Sequence, residues 1–132
     1  MTREELKGYP YVVKLIERYE KELAELYNDS AWGASSDMTG IHTGSAGSKV
    51  ESGYLRNEEK IQELTEKIRA CRKRLHKMDQ FFASIKDVQT LMIFELRFKE
   101  EYSWDQIAAR IGGNNTKDSV KKTCYRYLKK ME

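Results

Sequence analysis

The residues best suited to chemistry in this sequence are the cations near its C-terminus. Between Asn115 and Glu132 there are six lysines and arginines and only two acidic residues, whereas the remainder has 18 basic and 19 acidic residues. Lysine can donate hydrogen bonds to guanine, a carboxylate can accept one from cytosine, and both lysine and arginine bind phosphates. The segment therefore predicts a local polyanion site. The alternative is a solvated basic helix end, since such residues also complement the helix dipole.

Residues that could support catalysis are few and scattered. His42, His76, Cys71 and Cys124 form no spacing typical of metal ligands or of a Ser/His/Asp triad. Residues 44–49 only partly resemble a P-loop, because they lack the Gly-Lys-Ser/Thr ending and follow no apolar strand. The sequence thus predicts no enzyme, no metal and no cofactor. Both cysteines are predicted to be small core residues.

The cellular environment is predicted from what the composition contains. The sequence has no secretory segment and no long apolar run. With only two cysteines, it fits a reducing compartment in which both thiols stay free. These features predict a cytoplasmic protein without a membrane partner.

Three short helices are predicted to position the basic segment. The first spans about residues 87–99. The second begins with a capping box at Ser103 and ends at Gly112-Gly113, and the third begins near the N-cap Thr116. Two helices joined by a glycine turn, with the basic helix last, are typical of a helix-turn-helix. The predicted inward residues are Ala108 between the two helices, Trp104 in the core, and Val120, Cys124, Tyr127 and Leu128 on the third helix.

The recognition helix of a helix-turn-helix motif corresponds here to the third short helix. The start of such a helix reaches base edges, and later residues meet phosphates. The predicted base-edge contacts are Lys117, Asp118, Lys121 and Lys122. The predicted phosphate contacts are Thr116, Tyr125, Arg126, Lys129 and Lys130. Tyr125 is predicted to face outward, where it is either a DNA contact or a plain surface aromatic.

Two longer helices are predicted to precede this region. Apolar residues alternate spacings of four and three from Val12 to Leu26, and again from Val50 to Phe82, with Asn57 as the polar exception. A Gly/Ser-rich loop, residues 30–48, separates them, and Ser48 is a predicted N-cap. The expected fold is all-α, with an antiparallel, coiled-coil-like helical hairpin over residues 1–82 and a helix-turn-helix domain over residues 83–132. The exposed stripes predict a homo-oligomer formed through the hairpin.

Several short segments resemble region 4 of the sigma-70 family. They are Leu96-Arg97-Phe98, Tyr102-Ser103-Trp104-Asp105-Gln106-Ile107-Ala108, Ile111-Gly112, Ser119-Val120-Lys121 and Leu128-Lys129-Lys130-Met131. The arrangement is most similar to the ArpU-like and RinA-like phage and prophage late-transcription regulators. The similarity is sharp over residues 88–131 and only architectural over residues 1–82.

This resemblance implies a promoter-binding activator of phage late or packaging genes that contacts double-stranded DNA and host RNA polymerase and associates with the host nucleoid. Two features depart from the family. Glu101 stands where a glycine is usual, and Gly112-Gly113-Asn114-Asn115 lengthens the turn.

Two other functions fit the sequence. A region 4-like domain can instead be an interaction module for RNA polymerase or another regulator, without reading DNA. Phosphate binding weakens steeply with salt, whereas docking through an apolar seam does not, so salt dependence separates these hypotheses. A phage packaging-initiation subunit also combines both parts, but the order of domains here argues against it.

Overall fold

The computed structural model describes the backbone of residues 1–38 and 44–131, and the side chains of residues 1–28 and 57–131. In these parts of the chain there are only helices and short connections, which confirms the all-α class. The helices are α1 (Arg3–Lys7), α2 (Tyr9–Met38), α3 (Gly44–Ser84), α4 (Val88–Phe94), a π-helical turn (Glu95–Lys99), α5 (Trp104–Ile111) and α6 (Lys117–Met131).

The chain starts with a short capped helix. Thr2 and Glu5 form a capping box, in which each side chain accepts a hydrogen bond from the other residue's backbone N–H. Gly8 ends α1, and α2 begins directly at Tyr9. Pro10 is compatible with this start because a proline in the first turn lacks only an N–H that has no partner within the helix.

The loop predicted over residues 30–48 is wrong at both ends. Helix α2 continues to Met38, and α3 begins at Gly44, before the predicted N-cap Ser48. A single glycine costs a helix only about 1 kcal/mol, and alanine, serine and methionine are tolerated within helices. Extending an existing helix is also easier than nucleating one. The centre of the predicted loop, residues 39–43, and His42 within it lie outside the described residues.

The chain forms two compact units, and the smaller one comprises residues 15–72. Ile16, Leu64 and Ile68 are its buried side chains in the described part. The Lys67 ammonium lies 5.7 Å from the centroid of the Tyr19 ring, and Arg72 forms an ion pair with Glu20. These contacts, together with a cleft lined in part by Leu26 and Leu64, bring α2 and α3 side by side within this unit. Of the predicted stripe in this unit, Val50 and Tyr54 lie outside the described side chains.

The larger unit comprises residues 1–14 and 73–132. Its largest fully buried side chains come from α1, α4, α5 and α6: Leu6, Ile93, Phe94, Ile107, Val120 and Cys124. This grouping differs from the predicted boundary at residue 82, because α1 and the first turns of α2 pack with the C-terminal helices. One such contact places the Lys99 ammonium 5.3 Å from the centroid of the Tyr9 ring. The Tyr9 hydroxyl also donates a 2.9 Å hydrogen bond to Asp79 Oδ1 on α3.

Candidate nucleic-acid interface

Helix α5 is fixed at its start by a second capping box. The Ser103 hydroxyl accepts a hydrogen bond from the Gln106 backbone N–H at 3.3 Å, and the Gln106 side chain accepts one from the Ser103 N–H at 3.0 Å. Trp104, Ile107 and Ala108 are buried, which confirms Trp104 and Ala108 as core residues. The small Ala108 side chain allows the backbones of neighbouring helices to approach closely.

The connection between α5 and α6 depends on glycine. Gly112 has φ 75° and ψ −160°, and Gly113 has φ 66°. The first of these conformations is essentially restricted to glycine. The Asn115 side chain donates a 3.0 Å hydrogen bond to the Gly112 carbonyl, which holds the turn closed. The chain thus leaves α5 through a defined turn.

Helix α6 begins where the sequence predicts. The Thr116 hydroxyl accepts a hydrogen bond from the Ser119 N–H at 3.2 Å, and the Ser119 hydroxyl accepts one from the Thr116 N–H at 2.8 Å. This reciprocal pair satisfies two N–H groups at the helix start. The Thr116 hydroxyl therefore caps the helix as an acceptor, which leaves its own O–H able to donate to a phosphate.

Two opposite faces of α6 have opposite character. Val120, Cys124 and Leu128 are buried, and Tyr127 packs edge to face on Phe94 with ring centroids 5.5 Å apart. Since successive helical residues are rotated by roughly 100°, the face opposite this core contains one acidic and three basic side chains. All four are exposed: Asp118, Lys122, Arg126 and Lys129. This face can donate hydrogen bonds to anionic groups along most of the helix.

The other predicted contact residues differ in their positions on α6. Lys117 is exposed at the first position of the helix, on the side in line with Cys124 and Leu128, and Lys130 is exposed near its end. Lys121 is only partly exposed. It lies on a flank of the helix, because adjacent helical residues such as Lys121 and Lys122 are rotated from each other by roughly 100°. Of these two lysines, both predicted to contact base edges, only Lys122 therefore lies on the face opposite the core.

Tyr125 is half-buried rather than fully outward. Its ring meets the Trp104 ring edge to face, with centroids 5.9 Å apart. The Arg3 guanidinium lies 5.0 Å from the Tyr125 centroid, and the Lys121 ammonium lies 5.9 Å from it. The ring thus joins α1, α5 and α6. Arg3 lies far from Tyr125 in the sequence, and no spacing pattern could have predicted this contact.

Arg97, on the π-helical turn, fixes the entry to α5. Its guanidinium lies 4.4 Å from the Trp104 centroid and donates a 3.0 Å hydrogen bond to the Tyr102 carbonyl. Glu101, which lies between Arg97 and Trp104 in the sequence, has φ 61°, a left-handed conformation that favours glycine. Glu101 thus takes up a backbone conformation suited to the glycine that the resemblance led us to expect there.

Of the groups considered for catalysis, His42 lies outside the described residues, and Cys124 is buried. Burial raises the pKa of the Cys124 thiol to about 12, which keeps it protonated and unreactive. Cys71 is half-buried, so only Cys124 is a fully buried core cysteine as predicted. Among residues 1–28 and 57–131, no three His, Cys, Asp or Glu side chains are grouped so that they could hold a metal ion.

None of the helices in the described part of the chain combines the length and apolar character needed to cross a membrane. Comparison of the chain with protein-family models, with curated proteins and with solved structures found no match.

Proposed function

We propose that the protein is a sequence-specific DNA-binding transcription regulator, in which α5, the Gly112-Gly113 turn and α6 act as a helix-turn-helix. The observation that carries the proposal is the division of α6. One face packs into the core through Val120 and Cys124, and the opposite face is exposed and mainly basic. A recognition helix needs this division, since it must be held rigidly while its outer face enters the major groove.

The proposed roles follow position along α6. Lys117, Asp118 and Lys122 lie in the first turns, where base edges are reached, and a lysine there can donate to guanine O6 and N7. Arg126 and Lys129 lie on the same face farther along and suit phosphates. Lys130 is an additional phosphate contact beside them.

The resemblance to sigma region 4 supports a site of action at a promoter. We place the protein among phage or prophage late-gene activators that work beside host RNA polymerase. Helices α2 and α3 act as the helical hairpin that joins two copies. Tyr27, which is 56 % exposed, is an apolar group on this part of the chain available for such association.

The alternative is a protein-interaction module that binds RNA polymerase or another regulator without reading DNA. One feature favours it. Val88 is 79 % exposed and Met92 is 41 % exposed, and they lie one turn apart on the same face of α4. Adjoining exposed apolar side chains on one helix face offer a surface that a partner protein could cover.

The test is selection of bound duplexes from a random DNA library by the purified full chain, followed by sequencing. We expect an enriched motif, repeated or palindromic if two copies bind together. Binding of the enriched duplex should weaken steeply between 50 and 200 mM salt, on the order of 10-fold or more for several phosphate contacts. A library without enrichment would reject the proposal and favour the interaction module.

A further inference from the structure

A second basic feature adjoins the exposed face of α6 and includes the start of the chain. We call it the Tyr125 cleft: a depression of about 300 Å³ between α1 and α6 whose lining is Thr2, Arg3, Glu4, Tyr125, Leu128 and Lys129. The cleft lies within the larger compact unit. The residues that line it include the aromatic side chain of Tyr125 and two cations, Arg3 and Lys129.

The cations of the cleft are positioned and still accessible. The Arg3 guanidinium lies 5.0 Å from the Tyr125 centroid, yet 46 % of the Arg3 side chain is exposed. Lys121 lies against the same ring at 5.9 Å, and Lys129 is exposed at the rim. Stacking on an aromatic ring orients a guanidinium without using its N–H donors, which remain available for an anion.

Helix α1 is fixed firmly enough to hold Arg3 in this place. Leu6 is fully buried, and the Thr2–Glu5 capping box closes the helix start. The one carboxylate in the cleft, that of Glu4, lies 3.8 Å from Arg3 Nε and 3.6 Å from Lys7 Nζ. With Lys121 and Lys129 added, the surroundings keep an excess of positive charge.

We infer that the Tyr125 cleft binds a backbone phosphate of the DNA, so that α1 forms part of the same interface as α6. This inference rests on the proposed function. A phosphate suits the cleft better than a base, because Tyr125 and Lys129 belong to the later part of α6, away from the turns that reach base edges. Two cations that line the cleft, the Arg3 fork on α1 and Lys129 on α6, match the charge and geometry of a phosphate.

The test compares Arg3→Ala with Lys14→Ala as the matched control. Lys14 is also a cation on a tyrosine ring, 5.7 Å from the Tyr11 centroid, but it does not line the cleft. Binding of the full chain to a duplex is measured from 50 to 200 mM salt. Losing one phosphate contact lowers the slope of log K against log salt by about 0.9. The advantage of the wild type over Arg3→Ala should thus shrink about three- to fourfold over this range, equally for all sequences.

Lys14→Ala should keep the wild-type slope, and Arg3→Lys should largely restore it. Equal slopes for Arg3→Ala and the wild type would overturn the inference while leaving DNA binding intact. If the wild type binds no duplex, the proposed function fails, and inorganic pyrophosphate then tests the cleft separately. The Arg3 Nε–H signal is assigned by its absence from the spectrum of Arg3→Ala. A saturable shift of this signal with pyrophosphate in the wild type would support an anion site, and an unmoved signal would reject it.

Discussion

The guanidinium of Arg97 lies 4.4 Å from the centroid of the Trp104 ring. The same side chain donates a hydrogen bond to the Tyr102 carbonyl, so that it ties the π-helical turn to the start of α5. Trp104 in turn meets Tyr125 on α6. One arginine thus connects three elements of the proposed DNA-binding region, although the sequence shows it only as one charge among many.

We expect Arg97→Ala to destabilise the protein by about 1–3 kcal/mol, the combined size of a partly desolvated cation–π contact and a hydrogen bond to backbone. Urea unfolding followed by circular dichroism measures this loss. Arg110→Ala is the matched control, because Arg110 also stacks on a ring, 4.6 Å from the Tyr102 centroid, but is exposed. Its loss should be less than about 1 kcal/mol. Equal losses would show that Arg97 does not have the connecting role.

Replacing Glu101 by glycine is expected to stabilise the protein, in contrast to the Arg97 substitution. A left-handed conformation costs a residue with a Cβ about 1–2 kcal/mol, whereas glycine adopts it freely at an entropic cost of about 0.4–1 kcal/mol in the unfolded chain. We therefore expect Glu101→Gly to raise the free energy of unfolding by about 0.5–1 kcal/mol. Glu100→Gly is the control. Glu100 has φ −101°, and glycine there should destabilise by about the same amount. A destabilised Glu101→Gly would mean that the Glu101 side chain stabilises the turn.

The local parts of this structure could be predicted from sequence, since capping boxes and glycine turns depend on neighbouring residues. Ser103, Gly112 and Thr116 have their predicted positions for this reason. The contact of Arg3 with Tyr125 could not be predicted, because it depends on how distant helices pack. The loop over residues 30–48 was overestimated, because composition rich in small residues indicates a turn only weakly when strong helices adjoin it.

The buried thiol of Cys124 predicts a dependence on pH. Burial raises its pKa from 9.0 to about 12, so the thiolate forms more readily in the unfolded chain. Its contribution to stability is complete below pH 9 and is lost as the pH rises from 9 towards 12. From pH 8 to pH 10, the wild type should therefore lose about 1 kcal/mol more of its unfolding free energy than Cys124→Ala does.

Urea titrations of both proteins at the two pH values measure that difference. The cavity left in Cys124→Ala lowers stability at both pH values and so cancels from the comparison. Cys71 provides an internal control for accessibility, since it is half-buried. A thiol-specific reagent should modify Cys71 in the folded protein and Cys124 only on unfolding. Rapid modification of Cys124 in the native state would contradict its placement in the core.

Substitutions of the lysines on α6 should affect sequence preference and overall DNA affinity differently. Lys122 lies opposite the core in the first half of the helix, and its adjacent residue Lys121 lies on the flank beside Tyr125. We expect Lys122→Ala to relax discrimination at one position of the selected motif about 10- to 100-fold, the effect of one base contact. Lys121→Ala should change this preference much less. Lys129→Ala should weaken all duplexes alike and lower the salt slope by about 0.9.

These variants remove the same charge and are compared on the selected duplex and on single-base variants of it. Helicity should be unchanged in each, because Lys122 and Lys129 are exposed and alanine favours helices. If Lys121→Ala relaxed the preference more than Lys122→Ala, the helix would enter the groove with its Tyr125 flank, and Arg3 would then lie near base edges. The relative order of the two lysines therefore decides which side of α6 faces the DNA.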